Sequence, residues 1–260
     1  AQLPYTDSLV NLIVVTSDTP KVSRDEIMRV LAPLGVIADI RNGKVEITRK
    51  SWPKGLDGWS HYLHNASNNA VSADTTVGPP RGLRWTGGPK YARSHEHFAS
   101  VSAMVAAGGR MFYIIDEGPI SSVYMPPKWS LVARDAFSGV LLWRKPITNW
   151  ESHLRGFRSG PPEIGRVIVA TDRRVYVSLG QEQPVTVLDA ATGKSITTFK
   201  GSKDARELLL TGGVLYVLAD DMTAAKHDER KKWIEQVVPK LKMWYLFPKT
   251  PVSLYGTQRI

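Results

Sequence analysis

Val132-Ala-Arg-Asp-Ala-Phe-Ser-Gly139 and Val187-Leu-Asp-Ala-Ala-Thr-Gly193 are two copies of one word, the first followed by Trp143 and the second by Ile196 to Phe199. Asp135 and Asp189 are 54 residues apart, and so are Gly139 and Gly193. A second word recurs around them: AAGGRMFYII at 106–115, ATDRRVYVSL at 170–179 and LTGGVLYVLA at 210–219. Internal repetition of this length signals one supersecondary unit stacked several times. The short alternating runs predict antiparallel strands, with tight turns at Gly108-Gly109, Asp172-Arg173 and Gly212-Gly213. The Asp-Ala-x-Ser/Thr-Gly word predicts a further turn, in which the carboxylate and hydroxyl hold local amides and the glycine takes a positive φ. Asp135, Gly139, Trp143, Asp189 and Gly193 therefore read as structural repeat residues rather than catalytic ones.

These words resemble the repeats of the pyrroloquinoline-quinone-like (PQQ-like, quinoprotein-like) β-propeller family, which includes the BamB-like propellers of outer-membrane assembly. The resemblance implies that Trp143, and Phe199 in the next copy, dock on the neighbouring blade. Two to three blades are legible over 101–260, fewer than the four to eight that close a propeller. The third copy is interrupted by a charged segment at 220–250 and resumes at Tyr255-Gly-Thr-Gln-Arg-Ile260. Gly82-Leu-Arg-Trp85 reads as a strand for closing the ring on a blade beyond this sequence. The chain is thus expected to be a fragment, truncated at both ends.

Residues 1–50 follow a different pattern. Leu9 to Val15 (LVNLIVV) is a nearly continuous apolar run, the sign of a strand buried on both faces. Ser23 and Glu26 have capping-box spacing, and Ile27, Val30 and Leu31 continue a helical stripe that Pro33 and Gly35 end. Val36 to Ile40 then predicts a second strand. The words LPYTDSLVNLIVV and EIMRVLAPLGVIADI resemble the second half of a class I S-adenosylmethionine (SAM)-dependent methyltransferase. Asn11 and Leu34 depart from that family, which has Asp and Gly there. The family's glycine-rich loop and ribose-binding acid would lie upstream of Ala1, so methyl transfer by this chain alone is not expected. The fold class expected is mainly β: a partial β-propeller with a small N-terminal α/β Rossmann-like half-domain.

Between the two lies a connector, 51–100, with unusual chemistry. It contains Asp57-Gly-Trp59-Ser-His61-Tyr-Leu-His64 and Arg93-Ser-His95-Glu96-His97, which hold four of the six histidines. His61 and His64, at i and i+3, share a face of a helix, and His95 and His97 share a face of a strand. With Glu96 or Asp57 these are ligand types suited to Zn, Fe or Cu. The competing reading has the histidines and Trp59 packing at the junction. The combined arrangement resembles large bacterial proteins in which a methyltransferase-like module precedes a quinoprotein-like propeller.

Composition narrows the functions. The absence of cysteine excludes disulfides, thiolate metal sites and a cysteine nucleophile. No apolar run is long enough to span a membrane. The net charge of +10 is dispersed, and its densest stretch, Lys226 to Lys242, also carries Asp228, Glu229 and Glu235, so no nucleic-acid partner is expected. The leading expectation is a propeller-type binding or scaffold protein for a protein or polysaccharide. The alternatives are a SAM-dependent methyltransferase fragment, a PQQ-dependent dehydrogenase needing an oxygen-ligated Ca²⁺, and a His-based metalloenzyme. The family resemblance favours export to the periplasm.

Overall fold

The structure is a computed structural model that describes residues 1–16, 21–41, 43–79, 82–88, 101–120, 128–147, 163–180 and 183–219. It is mainly β, and among the described residues no helix is long and apolar enough to cross a membrane. His95, His97 and the charged segment after 219 lie outside the described residues.

The N-terminal unit is strand, helix, strand, strand. β1 (Val10–Val15) is parallel to β2 (Leu31–Arg41), α1 (Arg24–Val30) connects them, and β3 (Lys44–Arg49) returns antiparallel to β2. Ser23 caps α1 by accepting a hydrogen bond from the Glu26 amide at 3.3 Å. Glu26 instead turns to the Leu3 amide and Arg29, which hold its carboxyl at about 2. The helix ends at Val30, earlier than the Pro33–Gly35 stop predicted from sequence. Leu31 is already extended, at φ −69 and ψ 128, and Pro33 keeps Ala32 out of the helical region.

Burial corrects a second expectation. Ile27, Leu31 and Ile37 form a small core with Ile13 and Val15 on the helix-covered face. The other face is open, with Leu12 57%, Val14 49%, Val45 61% and Ile47 59% exposed. The apolar run at Leu9 to Val15 therefore makes an edge strand buried on one face, not on two.

Beyond the connector stand two four-stranded antiparallel sheets with the same strand order. One comprises β4 (Val101–Ala107), β5 (Arg110–Asp116), β6 (Trp129–Asp135) and β7 (Leu141–Pro146). A short helical turn, α2 (Glu163–Arg166), leads into the other: β8 (Ile168–Ala170), β9 (Arg174–Ser178), β10 (Val185–Asp189) and β11 (Ser195–Thr198). A hairpin of β12 (Ala205–Thr211) and β13 (Val214–Ala219) follows. One apolar core joins the first two sheets, including Phe112, Leu131, Trp143, Ile168 and Leu188. A second, of Val169, Tyr176, Val185, Val187 and Leu208, joins the second sheet to the hairpin. Among the described residues these sheets do not close on one another.

The repeated words have repeated geometry. Asp135 Oδ1 accepts from the Phe137 and Ser138 amides and the Ser138 hydroxyl, and Asp189 Oδ1 accepts from the Ala191 and Thr192 amides and the Thr192 hydroxyl. Those bonds hold the Asp189 carboxyl below its ordinary range, the Thr192 hydroxyl and amide contributing most. Gly139 and Gly193 close the turns at φ +72 and +69. Each lies under a tryptophan from the preceding segment: a Cβ at Gly139 would stand 2.4 Å from Trp85, and one at Gly193 2.6 Å from Trp143. Trp85 Nε1 donates to Ala136 O at 3.2 Å and Trp143 Nε1 to Ala190 O at 3.1 Å. Trp85 thus occupies on the first sheet the place that Trp143 occupies on the second. Phe199 is exposed.

Candidate functional site

The first strands of the repeats, β4, β8 and β12, each leave a sheet edge whose amides need partners. The connector supplies them with three consecutive residues. Trp59 exchanges two backbone hydrogen bonds with Ala106, donating at 2.9 Å and accepting at 2.7 Å. Ser60 O accepts from Ala170 N at 3.0 Å. His61 Nε2 accepts from Leu210 N at 3.0 Å. Ala106, Ala170 and Leu210 are the first residues of the three repeated words, so equivalent positions of three successive repeats are tied to three neighbours in sequence.

The third tie fixes the chemistry of His61. A nitrogen that accepts from an amide is unprotonated, so the proton of the neutral ring is on Nδ1, which donates to Ser60 Oγ at 2.7 Å. Ser60 Oγ in turn reaches His64 O at 3.4 Å. His61 is buried, and burial lowers its pKa below the ordinary histidine value. Both ring nitrogens are engaged by the protein.

His64 sits three residues on, where the chain doubles back: His61 N donates to His64 O at 3.2 Å, and His64 has φ +69. Its Nε2 is 2.7 Å from Asp57 Oδ2, which also accepts from the Ala73 amide and the Ser72 hydroxyl. Asp57 Oδ1 accepts from the Gly58 amide. Led by the Ala73 amide, these donors lower the Asp57 carboxyl to about 2. It is an anion at neutral pH, so it accepts a hydrogen bond from the Nε2–H of His64. His64 is 6% exposed, and its Nδ1 is buried with no hydrogen-bond partner. Trp59 packs against that ring, with centroids 5.3 Å apart.

Asp57, His61 and His64 line a cleft of about 940 Å³ beside the β4–β5 and β8–β9 turns. Trp52 and Leu34 contribute apolar wall, and the β8–β9 turn contributes Asp172, Arg173 and Arg174. Asp172 packs on Gly108, where a Cβ would come within 2.8 Å of its backbone.

Of the four candidate metal ligands, then, His61 and His64 share the cleft while His95 and His97 lie outside the described residues. Among the described residues no three His, Asp or Glu side chains gather as a metal site. The described part of the N-terminal unit likewise has no glycine-rich turn to cradle SAM.

Asp57 was visible in the sequence as a possible ligand, but its role in fixing the His64 tautomer was not. The ties at Ala106, Ala170 and Leu210 fall on aligned positions of the repeats, which was the one available signal. No protein-family model matches the chain, and no curated protein matches it.

Proposed function

We propose that the chain forms the opening blades of a PQQ-like β-propeller behind a Rossmann-like half-unit, and that it is a platform binding a protein or polysaccharide in the cleft. The observation carrying this reading is the connector, tied to Ala106, Ala170 and Leu210 across three repeats. A wide cleft beside such ties supports the reading, because propellers carry their grafted sites at the mouth of a repeated scaffold. The engagement of both His61 nitrogens favours a structural role for that histidine over a catalytic or metal-binding one.

The test is retention of the full chain on a panel of immobilised polysaccharides and extended peptides, with Arg174→Trp as the variant that narrows the cleft. A platform retains at least one polymer class, and the variant loses it without losing its circular-dichroism spectrum. Retention unaffected by the variant would remove the cleft from the reading, and no retention of either class would remove the platform.

A further inference from the structure

We propose that the open face of the N-terminal sheet is a docking surface for an acidic amphipathic α-helix of a partner protein. None of its residues lines the cleft, so the inference stands apart from the platform reading.

The first observation is the pattern of β3. Register sets Val14, Ala38 and Ile47 in one row of the open face and Ile40 beside Val45 in the next. Lys44, Glu46 and Thr48 alternate with Val45 and Ile47, and so project on the side that α1 covers. A half-buried strand turns its apolar alternate inward. The sequence of β3 is therefore written for burial on the side that α1 leaves open. The β1–β2 pair adds to this, because parallel strands occur almost only in sheets covered on both faces, commonly by helices.

Shape and size select the occupant. Ala38, the smallest side chain of the face, is flanked by Val14 and Ile47 across the sheet and by Val36 and Ile40 along β2. The ridge of a helix fills such a hollow. A second copy of the same face would set hollow against hollow about a two-fold axis and leave a void. Three strands about 4.8 Å apart, with about 3.4 Å per residue, give a face of roughly 14 by 20 Å. One helix, about 10 Å wide, covers that length in about 14 residues. Two copies joined there would bury far less than the roughly 800 Å² per partner of a standard interface.

Charge supplies the last feature. Arg49 shares a row with Leu12 and Val36, and its Nη1 donates to Leu34 O at 2.7 Å, which holds the guanidinium at the rim. The carboxylates of the sheet, Asp39 and Glu46, face each other on the α1 side. The open face thus carries a cation and no anion, and an acidic residue at one end of the helix complements it.

Fluorescence anisotropy of labelled 16-residue peptides with the full chain tests this. One peptide has leucines at i, i+3, i+4 and i+7 and glutamates at its ends; a second has the same residues in alternating order; a third has lysines in place of the glutamates. The first is expected to bind about tenfold or more tighter than the second, as helix-in-groove docking requires, and about two- to fivefold tighter than the third. Val45→Lys/Ile47→Lys should weaken the first peptide at least about tenfold, and Arg49→Glu should reverse the order of the first and third. Arg174→Trp, which narrows the cleft, should change neither. No binding, equal binding of the alternating peptide, indifference to the lysine pair or an unreversed order in Arg49→Glu overturns the proposal. So does a dimer in sedimentation that the lysine pair dissolves, since the face would then belong to a second copy. Circular dichroism checks each variant, and if the lysine pair unfolds, the charge reversal at the exposed Arg49 still decides. The cleft is tested by its own retention assay, so either reading can fail alone.

Discussion

His61 holds the third repeat by a bond that only a neutral imidazole can make, whereas Trp59 and Ser60 hold the first two through backbone carbonyls. The tie to Leu210 is therefore the pH-sensitive one. The folded pKa lies below the unfolded value of about 6.5. A base depressed by folding contributes its full stability above the unfolded pKa and loses it as pH falls through the folded one. Hydrogen exchange at the Leu210 amide should thus accelerate as pH is lowered from 7 towards 5, after correction for intrinsic rates. Exchange at Ala106 and Ala170 should not follow. Asp57 stays ionised through this range and so keeps its charge. His61→Phe strands the Leu210 amide and costs about 1–3 kcal/mol in urea unfolding. It should also abolish the pH dependence at Leu210. Persistence of that dependence in the variant would assign it to another group.

At the scale of the element, the turn after each third strand is built around a glycine beneath a tryptophan. Gly193 needs its missing side chain twice over: φ is +69, and a Cβ would strike Trp143. Gly212 has φ +57 but nothing within 4 Å of a Cβ. Gly193→Ala is expected to cost roughly 2–5 kcal/mol, the sum of left-handed strain and overpacking, and Gly212→Ala about 1–2 kcal/mol from strain alone. Denaturant midpoints of the two variants give the comparison, and equal losses would mean that Trp143 does not seat on Gly193. These turns could be read from sequence because their bonds are local: Asp189 reaches residues two and three ahead. The two sheets were similarly legible in alternating runs. What escaped was set by distant partners. LVNLIVV has the composition of a strand buried on both faces, but burial depends on what packs there, and only α1 does so among the described residues. The connector showed four histidines, yet nothing local says that His61 bonds a residue 149 positions away. Asn11 is a comparable case, since its amide donates to Asp135 Oδ2 at 2.8 Å, a contact that the aspartate usual in the resembling family would oppose.

For the whole molecule the asymmetry of the N-terminal sheet matters most. Its helix-covered face is packed, while Leu12, Val14, Ile40, Val45 and Ile47 are exposed on the other. Register places Val14, Ala38 and Ile47 in one row and Ile40 beside Val45 in the next, so the exposed side chains form a continuous apolar surface. Contiguous surfaces of this kind bind hydrophobic dyes and are rare without a partner. Val45→Lys/Ile47→Lys is expected to reduce fluorescence of bound anilinonaphthalene sulfonate. The melting temperature should change little: exposed substitutions away from caps, turns and cores fall within about 0.5 kcal/mol each, so about 1 kcal/mol for the pair, or roughly 2–4 °C for a chain of this size. A fall of much more than that would show that Val45 and Ile47 are buried in solution, because a lysine ammonium pressed into a packed face must be desolvated without a counter-ion. The dye and the melt together therefore decide whether this face is an open surface of the protein or the inner side of a layer that covers it.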